Sequence, residues 1–196
     1  MKRPLAVLAA LACARCLTSE TFPGDEVMGT FSFQAEELSK DCQLSDIPEG
    51  GFGPFTGTFS RIKGQPEAWL TLGEVSREAV FDGQVVSSTR RAPRRFPECQ
   101  CDDTEVEETL TVALLSKSQD QEVERLFGAA GCPPSPLDGG VPAPDVDEGI
   151  VRPDSTERGF DAVRACGVLV DVVVPGQSCQ CEMPCTLTYR ILGERK

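Results

Sequence analysis

The chain has 196 residues, with 19 Lys and Arg against 31 Asp and Glu, and its formal net charge is -12. A surface of that charge repels phosphate groups, which argues against nucleic acid as a partner. The chain has no histidine, so Ser-His-Asp and Cys-His catalysis are excluded and the commonest metal ligand is missing. The length and a hydrophobic content of 40% are those of one domain with a real core.

The first residues have the pattern of an export signal. Lys2 and Arg3 supply positive charge, and residues 4–12 form a short apolar run that is followed by small residues and cysteine. An apolar run of this length is too short to span a bilayer as a helix. We therefore predict that residues 1–15 are an export signal and lie outside the fold.

This N-terminus resembles the signal and lipobox of bacterial lipoproteins of unknown function, in which a cysteine becomes the lipidated N-terminus. The resemblance implies a lipid on Cys16 or Cys13 and an anchor in a membrane of the cell envelope. Small residues precede Cys13, which matches the cleavage pattern, whereas a lipid on Cys16 leaves an even number of other cysteines. The alternative is a signal that is cleaved without lipidation, followed by full secretion.

Beyond a polar tether at residues 16–28, the sequence predicts a β domain over 29–196. Alternating apolar and polar residues indicate short strands at residues 29–35, 57–60, 68–72, 77–81, 84–86, 106–115, 168–174 and 186–192. The tetrapeptide Gly-Thr-Phe-Ser occurs in both of the first two strands. Asp82 and Gly83 predict a hairpin, because this pair suits the turn that matches strand twist.

The predicted fold is a mostly β, single-domain antiparallel β-sandwich or small barrel of about eight strands with one short helix. Ser118 and the glutamine three residues later have capping-box spacing, and Val123, Leu126 and Phe127 form an apolar stripe after them. Residues 131–154 are rich in proline, glycine and acid, so we expect a long, flexible surface loop there.

One predicted strand has an unusual composition. Residues 168–174 are apolar except for Asp171, which predicts a central strand that is buried on both faces. In such a core, Asp171 needs a buried polar partner.

The cysteines that follow the signal predict four disulfides, because an exported protein meets an oxidising compartment. They are Cys42, Cys99, Cys101, Cys132, Cys166, Cys179, Cys181 and Cys185. Within an extended Cys-x-Cys sequence the two Cβ atoms lie roughly 7 Å apart, but a disulfide needs about 3.5–4.5 Å. Pairing must therefore join distant segments. A thiolate zinc site is the alternative, although the Cys-x-Cys spacing is shorter than zinc sites use.

Two charged clusters are candidate binding sites. A basic cluster that could bind an anion consists of Arg90, Arg91, Arg94 and Arg95. The acidic residues just downstream favour local neutralisation instead. A cluster of possible calcium ligands consists of Asp138, Asp145, Asp147 and Glu148, but it lacks the spacing of an EF-hand loop.

From these features we predict a non-catalytic, disulfide-stabilised envelope or surface protein that acts as a binding or structural module. It needs no cofactor, contacts a membrane through its lipid, and has an unidentified protein or glycan partner. The alternative is a secreted hydrolase that uses carboxylates or a bound metal. A cleft that holds two or more buried carboxylates would favour the hydrolase, and a flat or convex β surface would favour the binding module.

Overall fold

The computed structural model describes residues 22–42, 44, 50–101, 104–127, 132, 162–176 and 179–196. Within these residues, eight strands form one antiparallel sheet in chain order, and β8 pairs with β1 to close the sheet into a barrel. The strands are β1 (Glu26–Lys40), β2 (Gly51–Arg61), β3 (Glu67–Leu72), β4 (Val75–Phe81), β5 (Val85–Pro93), β6 (Glu105–Leu115), β7 (Arg164–Val174) and β8 (Cys185–Arg195). Of the two predicted architectures, the barrel is the one found.

The last two strands complete this sheet. β7 pairs with β6 along its whole length, and β8 lies between β7 and β1. The strands that follow the 131–154 segment therefore return to the same sheet. That segment lies outside the described residues, except for Cys132.

One α-helix, α1 (Lys117–Phe127), follows β6, and a short 3-10 helix covers Pro97–Cys99. The helix is confirmed, but its cap is Ser116 rather than the predicted Ser118. The amide of Ser116 donates to Oε1 of Gln119 at 2.9 Å, and the amide of Gln119 donates to Oγ of Ser116 at 3.5 Å. Both serines have a glutamine three residues later, and only Ser116 directly follows the end of β6.

The helix α1 packs on the outer wall of the barrel. Val123 is buried against Leu115 and Cys166, which face outwards on β6 and β7. The guanidinium of Arg164 also forms an ion pair with Asp120 at 2.6 Å. This packing makes a second, small apolar cluster outside the main core.

No helix among the described residues combines the length and the apolar composition that a membrane-spanning helix requires.

The repeated Gly-Thr-Phe-Ser tetrapeptides pair with each other across β1 and β2. Phe31 lies opposite Gly57, and Gly29 lies opposite Phe59. A Cβ atom at Gly29 would lie 2.7 Å from the Phe31 ring, and one at Gly57 would lie 3.0 Å from the Phe33 ring. The ring centroids of Phe31 and Phe59 are 6.1 Å apart, with their planes inclined at 60°. Glycine at these two positions leaves room for the rings of Phe31 and Phe33 inside the narrow barrel.

A buried ion pair lies at the end of the barrel where β1 begins and β2 ends, which we call the closed end. Arg61 is 2% exposed, and its Nε donates to the carboxylate of Glu26 at 2.5 Å. Its guanidinium also lies 5.2 Å from the centroid of the Phe81 ring. The pairing of Glu26 with Arg61 starts β1 at residue 26, three residues before the predicted start of the β domain.

The prediction that residues 168–174 are buried on both faces holds only at the start of the segment, where the consecutive residues Val168 and Leu169 are both buried, and it is wrong beyond them. Leu169 and Val173 are buried and belong to the main core, whereas Val172 is half-buried and Val174 is 40% exposed. A closed barrel has a single interior, so alternate residues of each strand point outwards. In β7, the alternation places Asp171 on the inner face.

Candidate functional site

All eight predicted cysteines form disulfides, which confirms the four bridges. The pairs are Cys42–Cys185, Cys99–Cys181, Cys101–Cys179 and Cys132–Cys166. The first three lie at the end of the barrel where β1 ends and β8 begins, which we call the open end. Because these sulfur atoms are bonded to each other, they are not the thiolates that a zinc site requires. The bridges are consistent with an exported protein.

Two of these bridges join the β5–β6 loop to the β7–β8 loop. Cys99 pairs with Cys181 and Cys101 pairs with Cys179, so the two Cys-x-Cys sequences run antiparallel beside each other. Between the bridges, the amide of Gln180 donates to the carbonyl of Cys99 at 2.9 Å. We call this pair of bridges the double disulfide. It joins the two loops into one wall of the open end.

Among the described residues, two adjacent cavities lie at the open end. The larger, which we call the wide chamber, has a volume of about 570 Å³ and mainly apolar walls that include Pro54, Phe55, Leu70, Leu72, Leu110 and Ile191. The smaller, which we call the polar chamber, has a volume of about 270 Å³ and is lined partly by Arg94, Asp171 and Tyr189. Both chambers share Phe52, Glu108 and Leu169.

A chain of aromatic rings leads from the core to these chambers. The ring of Phe33 stacks on Phe55 at 5.3 Å, Phe55 stacks on Phe52 at 5.7 Å, and Phe52 meets the edge of Tyr189 at 5.2 Å. Phe33 and Tyr189 are buried, but Phe52 is 39% exposed. Phe52 thus places an aromatic ring at the border of both chambers.

Charged side chains lie on the inner face of the sheet beside the chambers. Arg77 of β4 forms an ion pair with Glu108 of β6. Asp171 of β7 lies directly opposite Glu108 in the antiparallel register. Side chains in such positions have Cβ atoms about 4.5–5.5 Å apart, and two like charges there repel each other.

The carboxylate of Asp171 lacks a full set of hydrogen-bond partners in this site. Its Oδ1 atom is buried and accepts no hydrogen bond from any described residue. Burial, followed by the charge of Glu108, raises its pKa to about 6, while Arg94 and Arg77 act in the opposite direction. The buried partner that the sequence predicts for Asp171 is thus not found among the described residues. Burial, with a smaller effect of Asp171, also raises the pKa of Tyr189.

Replacement of Asp171 with asparagine should stabilise the protein near neutral pH. In the wild type, the pKa of about 6 exceeds the unfolded value of 3.8, so the folded state retains a proton that the unfolded state has lost. The contribution of Asp171 to the free energy of unfolding is therefore fully present below about pH 4 and is lost as the pH rises through 6. After a discount for partial exposure, we expect Asp171→Asn to be more stable by about 1–2 kcal/mol at pH 7.5 and nearly equal at pH 4.

Guanidinium unfolding of wild type and variant at pH 4, 5, 6 and 7.5 measures this difference. Glu107→Gln is the control, because it removes a carboxylate from the outer face of β6, next to Glu108. A stability difference between wild type and Asp171→Asn that does not change with pH would contradict the prediction.

The structure does not bring the four arginines of the basic cluster together. Arg91 points outwards and pairs with Glu107 at 2.5 Å, as local neutralisation predicts. Arg94 lies with its guanidinium 5.5 Å from the centroid of Phe96 and lines the polar chamber. Arg90 is opposite Glu108 in the register, and Arg95 is exposed. The calcium candidates and both lipidation candidates lie outside the described residues.

Sequence reasoning missed Glu108, Arg77, Phe52 and Tyr189 as site residues. The sequence did contain an indication for Glu108. This residue precedes Leu110 by two positions, so it lies on the same face of β6 as the apolar residues Leu110, Val112 and Leu114. A charged residue on a core-facing position indicates either a buried pair or a cavity. The positions of Arg77 and Phe52 follow from strand pairing across β2 to β6, which no local pattern contains.

These observations define a small, disulfide-rich, up-and-down β-barrel that is open at one end. Barrels of eight strands have an interior that side chains fill or that holds one small ligand. No family model, no curated protein and no solved structure matches this chain.

Proposed function

We propose that this protein is an exported, non-catalytic module that binds a small, largely apolar molecule at the open end of its barrel. The observation that carries the proposal is the wide chamber of about 570 Å³, with apolar walls and charged groups on one side. Ligand sites in proteins are typically concave and mostly apolar, with a few polar groups that orient the ligand, and the mouth of a barrel is a common place for them.

Export and a lipid anchor on Cys16 or Cys13 belong to the same proposal. Four disulfides support export, and the pattern of residues 1–16 supports lipidation. Mass spectrometry of the mature N-terminal peptide, isolated from the native membrane fraction, should find a diacylglyceryl cysteine at one of these positions. An N-terminus at Met1 would contradict both parts.

Binding can be tested with the neutral fluorescent probe N-phenyl-1-naphthylamine, whose emission rises in apolar surroundings. We expect the wild type to enhance its fluorescence and Leu72→Trp to weaken probe binding tenfold or more. Leu72 lines the wide chamber at the end of β3, so an indole there occupies the space of the probe. The control is Val80→Trp, which adds the same ring at an exposed position on the outer face of β4.

Circular dichroism and thermal melting will establish whether each variant folds. If Leu72→Trp does not fold, Leu110→Phe replaces it in the test. Loss of binding in the chamber variant, with retention in Val80→Trp, would support the proposal. Absence of probe binding to the folded wild type, or equal binding by all variants, would overturn it.

A hydrolase is the second candidate, because Glu108 and Asp171 lie together in a cleft, and a raised carboxyl pKa is a property of general acids. The ion pair between Glu108 and Arg77 favours binding over catalysis, since it occupies one of the two carboxylates. Nitrophenyl glycosides and esters test this candidate. Turnover that is lost in both Asp171→Asn and Glu108→Gln would establish hydrolysis and replace the binding proposal.

A further inference from the structure

One buried hydrogen-bond acceptor in the polar chamber has no donor among the described residues. Oδ1 of Asp171 is buried and has no hydrogen-bond partner among the described residues. An unpaired buried acceptor lowers stability, and a ligand donor that reaches it recovers that loss. Asp171 lies opposite Glu108 at the border between the chambers, whose linings also contain Arg77 and Arg94.

Arg77 forms an ion pair with Glu108, Arg90 is opposite Glu108 in the register of β5 and β6, and Arg94 lies over the ring of Phe96. None of these cations donates to Oδ1 of Asp171. The net charge of -12 adds a long-range attraction for cations. Phe52 and Tyr189 line the same chamber, and aromatic faces attract cations within about 6 Å.

We propose that the open end binds an amphiphilic amine, with its ammonium group at Asp171 and its apolar body in the wide chamber. This inference rests on the proposed binding function and specifies the chemical class of its ligand. The ammonium donates to the free carboxylate oxygen of Asp171, and the chain of the amine extends past Leu169, which both chambers share. The unpartnered Nε of Arg77 is a donor that would instead suit an anionic ligand.

Three probes of equal chain length distinguish a cationic ligand from an anionic and a neutral one: octylammonium, octanoate and octanol. Each is titrated against the complex of the protein with N-phenyl-1-naphthylamine at pH 7.5, and displacement of the probe is measured. We expect octylammonium to bind tenfold or more tightly than octanol and octanoate, because a hydrogen bond between charged groups adds to the shared apolar contacts.

Variants then assign the effect to the carboxylate. Asp171→Asn should remove most of the preference for octylammonium while octanol and the fluorescent probe bind as before. Glu107→Gln, on the outer face of the same sheet, should leave the preference intact. This set of results would support the inference.

Four outcomes would overturn it. Equal binding of the three probes, or a preference for octylammonium that survives Asp171→Asn, would remove the amine and leave the apolar binding site standing. Preferred binding of octanoate that is lost in Arg94→Gln would make the ligand an anion. If neither the amphiphiles nor N-phenyl-1-naphthylamine bind to the folded wild type, the proposed function itself fails.

Discussion

Replacing Arg61 with alanine will lower the free energy of unfolding by about 3–5 kcal/mol. The substitution leaves the carboxylate of Glu26, only 13% exposed, without the guanidinium that lies 2.5 Å from it. It also removes the cation from the ring of Phe81 and opens a space in the closed end of the barrel. Guanidinium unfolding at pH 7.5 measures the loss, and a change below about 1 kcal/mol would contradict the prediction.

A double variant distinguishes a lost ion pair from a simple cavity. Arg61→Met combined with Glu26→Gln removes both charges and retains much of the buried volume. Since a buried ion pair contributes little more than a well-packed apolar substitute, this variant should recover most of the stability lost in Arg61→Ala. If the double variant is as unstable as Arg61→Ala, packing rather than charge explains the effect.

Removal of the double disulfide will lower the free energy of unfolding by about 3–5 kcal/mol, while removal of either bridge alone will have a much smaller effect. The bridges span sequence separations of 82 and 78 residues, so the first one closes a long loop. Once it is closed, the second encloses only a few further residues and restricts the unfolded chain very little. The two effects are therefore expected to be strongly non-additive.

Pairwise replacement by alanine tests this expectation, with Cys99 and Cys181 changed in one variant, Cys101 and Cys179 in another, and all four in a third. Peptide mapping without reduction verifies that the remaining bridges are intact. Two single-bridge losses that add up to the loss in the third variant would contradict the prediction.

The strands, the hairpin at Asp82 and the number of bridges could be predicted from the sequence because each has a local signal. In β8, Leu187, Tyr189 and Ile191 alternate with polar residues, and all three are buried. The hairpin forms, but Phe81 pairs with Val86 and the amide of Asp82 donates to the carbonyl of Val85 at 3.1 Å, so Gly83 and Gln84 rather than Asp82 and Gly83 lie at the centre of the turn. The Asp82 side chain stabilises this turn by accepting hydrogen bonds from the amides of Gln84 and Val85, at 3.0 and 2.7 Å. Such signals act over two to four residues and do not depend on the rest of the fold.

These local signals do not distinguish a sandwich from a barrel. The choice depends on whether β8 pairs with β1, and those strands are separated by most of the chain. The same closure explains the error at residues 168–174, since an apolar run is compatible with burial on both faces or with a barrel strand that is partly covered outside. Only the pairing of strands decides between these alternatives.

Composition and local patterns therefore indicated an acidic, disulfide-rich β protein with no histidine chemistry, together with the expectation of export. Asp171 was recognisable as anomalous because it interrupts an apolar run. Only the tertiary structure placed it opposite Glu108, beside Arg94 and Tyr189, at the mouth of a barrel with two chambers. The physical reason is that alternation along a strand fixes which residues share a face, whereas a cavity is formed by residues of many strands whose registers depend on closure of the whole sheet.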